Sequence, residues 1–218
     1  SLVSIRAVGD LNNDGCDDLL VAYMDVIVQK PLILISNGDG TFRQETRISG
    51  NAEQRSAREA QIVDVNGDGY KDIVYIPASH SWREATLGPK WNAFDEVLVL
   101  INNAGNGFTV NQSMFNLPDG YFHSGDTGFT NFDPLLDIFP VSEYNISVGG
   151  LPRVSRIQNP DGTFTVSGTA SPTAIKDYQI NNVAIGDINN DGYTDYAFTI
   201  FSQSSPKLDV NNPSIAFA

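Results

Sequence analysis

Three short acidic segments carry the clearest chemistry in this sequence: Asp10-Leu-Asn12-Asn-Asp14-Gly15-Cys16-Asp-Asp18, Asp64-Val-Asn66-Gly-Asp68-Gly69-Tyr70-Lys-Asp72 and Asp187-Ile-Asn189-Asn-Asp191-Gly192-Tyr193-Thr-Asp195. All read D-x-N-x-D-G-x-x-D. A hard divalent cation such as Ca²⁺ takes roughly six to eight oxygen ligands at about 2.3–2.6 Å, and alternate positions of a tight loop can turn oxygens toward one point. Loop positions 1, 3, 5 and 9 supply Asp, Asn, Asp and Asp. Position 7 (Cys16, Tyr70 or Tyr193) would contribute only its backbone carbonyl, which explains why such different side chains serve there. Glycine at position 6 lets the chain turn around the ion. The expectation is three Ca²⁺ sites.

An EF-hand or dockerin-like loop starts with the same spacing. It requires an acidic ligand at position 12 and a helix after it. Here position 12 is Val21, Tyr75 or Phe198, each inside an apolar β-type run. Plain Asx turns that bind nothing would account for one such loop but not for the same ligand pattern three times over.

The loops begin at residues 10, 64 and 187, so the second gap is about twice the first and a further copy is expected between them. Phe129-Thr-Asn131-Phe-Asp133-Pro134-Leu-Leu-Asp137 fits that place, with Phe129 where the first Asp should stand and Pro134 in place of the glycine. It reads as a degenerate, metal-free copy. A second signature follows the loops, at Asn37-Gly-Asp-Gly-Thr-Phe42, Asn103-Ala-Gly-Asn-Gly-Phe108 and Asn159-Pro-Asp-Gly-Thr-Phe164. These are hairpin turns leading into strands. Between loop and turn lie short runs rich in β-branched residues, such as Asp72-Ile-Val-Tyr-Ile76 and Val97-Leu-Val-Leu-Ile101, which favour strands over helices.

Four repeats result, approximately 1–50, 51–113, 114–170 and 171–218. The near-continuous apolarity of the runs implies burial on both faces, as when small sheets stack around an axis. The predicted fold is all-β: a β-propeller of four-stranded blades, with strand A before the acidic loop, B after it, C before the Asn-Gly turn and D after it. The chain forms a single propeller domain or a fragment of a larger one, and the fourth repeat has little chain left for its last strand.

These residues resemble FG-GAP or VCBS repeats, the blades of integrin α-subunit propellers and of many secreted bacterial proteins. The resemblance rests on the loops at Asp10, Asp64 and Asp187 and on the Asn37 turn. It implies a propeller with Ca²⁺ in the A–B loops of one face, ligands on the opposite face, and a role in adhesion or recognition, sometimes as an accessory to an enzyme.

That opposite face collects the B–C and D–A connections. The long stretch from Pro77 to Asp95 brings His80, Trp82, Arg83 and Trp91, and the next D–A connection brings Tyr121 and His123. Aromatic rings flanked by polar groups suit a sugar or a peptide. The competing reading is a long insertion that buries its own tryptophans as a small core.

Composition bounds the partners. The chain has 218 residues, 41% hydrophobic and 18% charged, with 26 Asp plus Glu against 13 Lys plus Arg and a net charge of -13. Such a surface repels phosphate backbones and anionic membranes, so neither nucleic acid nor membrane insertion is expected. Cys16 is the only cysteine, so an intrachain disulfide is impossible. No run reaches the roughly 20 apolar residues of a membrane span, and Ser-Leu-Val-Ser-Ile-Arg lacks the pattern of a signal peptide, as in a mature or trimmed chain.

The preferred reading is a secreted or cell-surface, calcium-stabilised recognition module for a glycan or an extracellular protein, since millimolar Ca²⁺ is found outside cells. The sequons at Asn111 and Asn145 suit a secretory route. A polysaccharide lyase using Tyr121, His80 or His123 is the alternative, and a spacer within a larger adhesin or toxin is a third reading. No nucleophile elbow or zinc-protease motif is present.

Overall fold

The computed structural model describes residues 3–23, 30–52, 57–77, 97–113, 122–130, 133–142, 155–166, 179–201 and 215–217. Among these the regular structure is strand, and the chain divides into two compact units, Ser1–Asp119 and Gly120–Ala218.

In the first unit, β1 (Val3–Gly9), β2 (Asp18–Tyr23), β3 (Leu32–Ser36) and β4 (Phe42–Glu45) form an antiparallel meander in that order. A short strand, β5 (Ile48–Ser49), then precedes β6 (Ala57–Val63), β7 (Asp72–Pro77), β8 (Leu98–Asn102) and β9 (Phe108–Val110), which form a second sheet in the order β5-β9-β8-β7-β6. In both meanders the acidic loop joins the first strand to the second and the Asn-Gly turn joins the third to the fourth, matching the A to D assignment.

β5 was not foreseen. It pairs in parallel with β9, Ile48 opposite Phe108, so the chain leaving the first sheet borders the second before entering its first strand. The amide of Phe108 donates to the Arg47 carbonyl at 2.8 Å. Gly107, at φ +93, permits that approach, because a Cβ there would lie 2.3 Å from the same carbonyl oxygen.

The two sheets bury one core between them: Leu20, Ala22, Ile33 and Ile35 from the first, Ala57, Ala60, Ile73, Tyr75, Leu98 and Leu100 from the second. Burial is less uniform than the apolar runs imply. Ile73 to Ile76 are all buried, whereas β3 alternates and β4 buries only Glu45. β7 is thus covered on both faces, whereas the last strand of the first sheet is covered at one position.

The second unit repeats the plan. β10 (Phe122–Gly128), β11 (Asp137–Ser142), β12 (Arg156–Gln158) and β13 (Phe164–Val166) form one meander. β14 (Gln179–Gly186), β15 (Asp195–Phe201) and β16 (Ile215–Phe217) form a three-stranded sheet, so a third strand of the last repeat is drawn from the end of the sequence. Phe139, Val141, Val183 and Phe198 make the core, with the Phe139 ring edge-on to Tyr196 at 5.4 Å between centroids.

Within each unit the first strands of consecutive sheets pack side by side, β1 with β6 and β10 with β14. Both contacts use one device. The glycine that ends one strand faces the isoleucine two residues before the next loop: a Cβ on Gly9 would come 2.9 Å from Ile62, and one on Gly128 would come 2.4 Å from Ile185. The Ile185 amide also donates to Asp126 Oδ2 at 2.7 Å. The four sheets are therefore blade-like and pack pairwise as stacked repeats; closure into a ring is taken up below as a proposal.

Candidate metal centre

Each acidic loop folds on its own hydrogen bonds. In the first, both oxygens of Asp10 accept backbone amides: Oδ1 from Asp14 at 3.2 Å and Oδ2 from Gly15 at 2.8 Å. Asn12 Oδ1 accepts from the Asp14 amide and its Nδ2 donates to Asp14 Oδ2, while Asp14 Oδ1 accepts from the Cys16 amide. The second and third loops repeat this set. Asp64 and Asp187 accept from Gly69 and Gly192 at 2.8 Å each, Asn66 and Asn189 donate to Asp68 and Asp191, and the amides of Tyr70 and Tyr193 reach the same two aspartates.

The position-6 glycines Gly15, Gly69 and Gly192 have φ of 85°, 87° and 87°. Position 4 is also left-handed, with φ 58° at Asn13, 73° at Gly67 and 61° at Asn190. The sequence reading treated that position as open. Its occupants are nevertheless Asn, Gly and Asn, the residue types that tolerate this conformation, so the signal was available.

Position 9 does more than face the loop. Asp18 is fully buried, and its carboxylate accepts from the Leu11 amide at 2.8 Å and the Ser36 amide at 2.8 Å. Asp72, also fully buried, accepts from Val65 at 2.9 Å and Asn102 at 2.7 Å. Each carboxylate thus clasps the start of the acidic loop to the end of strand C. Asn102 extends the clasp, its side chain donating to the Leu11 carbonyl at 2.7 Å and so tying the second repeat to the first loop.

The degenerate copy keeps this clasp and the position-5 contact, Asp133 Oδ1 accepting from the Leu135 amide at 2.9 Å. Asp137 is fully buried and accepts from the Thr130 amide and hydroxyl and from the Gln158 amide. Asp195 makes the loop half of the contact, accepting from the Ile188 amide at 2.9 Å.

Burial pushes Asp72 up to about 6, with the Asp68 and Asp64 charges adding to the rise and the two amides opposing it. Asp18 and Asp137 are raised for the same leading reason. Asp14, fully exposed, is lowered by the Cys16 amide and by Asn12. The Asp14 charge raises the Cys16 thiol, which disfavours a thiolate and agrees with a backbone-only role for that residue.

The donor set is all hard oxygen, and a buried carboxylate crowded by two others suits a divalent cation. Among the described residues, however, no group of three or more His, Cys, Asp or Glu side chains is gathered as a metal cage. Asn12, Asn66 and Asn189 engage the position-5 carboxylates instead. Filling a loop requires those amide–carboxylate contacts to give way.

The Asn37 and Asn159 turns are alike in detail: Asp39 and Asp161 each accept from the amide and hydroxyl of the Thr two residues on. Of the six residues expected to bind a partner, His80, Trp82, Arg83, Trp91 and Tyr121 lie outside the described residues, and His123 falls in β10.

Sheets, loops and turns together define a protein of stacked antiparallel repeats. Residues 10–75 match the model of an FG-GAP-like repeat, a span running from the first acidic loop through β7 of the next repeat. Over that span the chain is similar to FG-GAP-like repeats. No curated protein matches the chain.

Proposed function

We propose that this chain is a calcium-stabilised recognition module built as a β-propeller or part of one, acting outside the cell. The observation that carries the reading is the threefold recurrence of one loop geometry with one oxygen donor set, beside a degenerate copy that lacks the position-1 aspartate and the position-6 glycine. A loop serving the fold alone would need no more than Asp137 and its amide partners. The other three add Asp at position 1 to the Asn and Asp at positions 3 and 5, completing a set of oxygen donors of the kind Ca²⁺ takes. Asp10, Asn12, Asp14 and Asp18 would hold the first ion with the Cys16 carbonyl; the corresponding residues of the loops at Asp64 and Asp187, with the Tyr70 and Tyr193 carbonyls, would hold the others.

Repeats of this family are often found in adhesion and extracellular proteins, and no helix among the described residues is long and apolar enough to cross a membrane. A glycan or protein partner would engage the face opposite the loops, where His80, Trp82, Arg83, Trp91, Tyr121 and His123 gather on the propeller reading. The test is calorimetric titration with Ca²⁺ followed by glycan-array binding in Ca²⁺ and in chelator. Three sites and calcium-dependent capture of a defined sugar support the reading; no calcium heat and an unchanged melting temperature overturn it.

A further inference from the structure

The third loop did not merely lose its first ligand. Phe129 stands where Asp10, Asp64 and Asp187 stand in the other repeats, and its ring is 50% exposed. Tyr193 of the fourth loop is 61% exposed. Between these two loops, tied together by the Thr194 hydroxyl donating to the Phe129 carbonyl at 2.7 Å, opens a cavity of about 540 Å³. Gly186 and Gly192 line it, and a Cβ on either would meet no atom within 4 Å.

Half-buried Leu136 and Ile185 give the cavity an aliphatic floor, and among the described residues its charged lining is Asp133 and Asp187. Asp187 turns both carboxylate oxygens toward its own loop amides; Asp133, whose Oδ1 accepts from the Leu135 amide, belongs to the loop read as metal-free and carries the second charge. Exposed apolar groups that share one concave site are the kind of surface a ligand covers. Two aromatic residues and two carboxylates lining one cavity, on a chain of net charge -13, attract a positive group that carries an apolar body.

We infer that the cavity between the third and fourth acidic loops binds an alkylammonium group, with Phe129 and Tyr193 contacting its carbon–hydrogen surface and Asp133 supplying the counter-charge. The group is either a free organic amine or a lysine side chain presented by a partner. This site lies on the loop side of the repeats, opposite the partner face proposed above, and requires no bound calcium.

The experiment is isothermal titration of the full chain, at low and moderate salt, with butylammonium, tetramethylammonium, a lysine-containing peptide and butanol. Cation binding at least tenfold tighter than butanol, weakening with salt, is expected. Tyr193→Ala should weaken it roughly threefold to fivefold, with Tyr193→Phe restoring it, and Asp133→Asn should weaken it and flatten the salt dependence. Melting curves confirm that the variants remain folded. A tighter lysine peptide assigns the site to a partner's side chain; a tighter small amine assigns it to a free ligand. Butanol binding as well as the cations, or undiminished binding by both Tyr193→Ala and Asp133→Asn, overturns the inference. Repeating the titration in chelator, beside the calcium titration, separates failure of this site from failure of the calcium reading.

Discussion

Replacing the clasp aspartates separates their structural work from any work on a metal. Asp72→Ala strips two buried amides, Val65 at 2.9 Å and Asn102 at 2.7 Å, of their acceptor; Asp137→Ala strips Thr130 and Gln158 in a loop that lacks the position-1 aspartate and the glycine. Hydrogen bonds to a charged group contribute about 1.5–3 kcal/mol each. Relief of carboxylate desolvation, visible in the upward shift of both groups, offsets part of two such losses. The net cost should be about 3 kcal/mol per clasp, read by urea unfolding with hydrogen exchange at the Asn102 and Gln158 amides to report each unit separately. In chelator the two variants should lose similar amounts. In Ca²⁺ only Asp72→Ala should lose more, because it alone also loses an ion. A cost for Asp137→Ala below about 0.5 kcal/mol, the range of ordinary surface substitutions, would refute the clasp.

Gly128→Ala should destabilise the second unit by about 1–3 kcal/mol through overpacking against Ile185, and more than Gly9→Ala destabilises the first, because the intruding Cβ lies at 2.4 Å against 2.9 Å; paired melting curves check the order. Ca²⁺ at roughly a hundredfold its Kd should add about 2.7 kcal/mol per site, and Asp14→Ala, Asp68→Ala and Asp191→Ala should each remove one site from the calorimetric stoichiometry. Burial holds Asp137 above its ordinary value, so the native state binds that proton more tightly than the unfolded chain does. The stability this adds is fully present below about pH 4 and is lost as pH rises through the raised value. The advantage of the parent over Asp137→Asn, measured by urea unfolding, should therefore shrink between pH 4 and pH 7.

Repetition made much of this protein legible in one dimension. The Asp10, Asp64 and Asp187 loops share spacing because a nine-residue turn admits few backbone paths, and the glycine at position 6 marks where the path turns left-handed. Strands A to D followed from those loops and the Asn-Gly turns, since hairpin chemistry is local. The degenerate copy at Phe129 could be placed from period alone, and the oxygen donor set was readable because ligand chemistry resides in residue type.

Tertiary structure decided what depends on distant partners. Position 9 looks like one more ligand in the sequence, and only folding brings the Ser36, Asn102 and Gln158 amides onto Asp18, Asp72 and Asp137. The edge strand β5 escaped notice because two residues carry no periodicity, and its pairing with β9 is set by chain crossing between sheets. Gly9 and Gly128 are unremarkable in isolation; their lack of a side chain matters only against Ile62 and Ile185 of the next sheet. The cavity beside Phe129 likewise exists only when two loops far apart in the chain are packed together. Composition and short-range spacing thus determined the repeat, its turns and its donor atoms, because each is a property of a few consecutive residues. The clasp, the sheet-to-sheet contact and the cavity are long-range geometry, and for these the fold had to be seen.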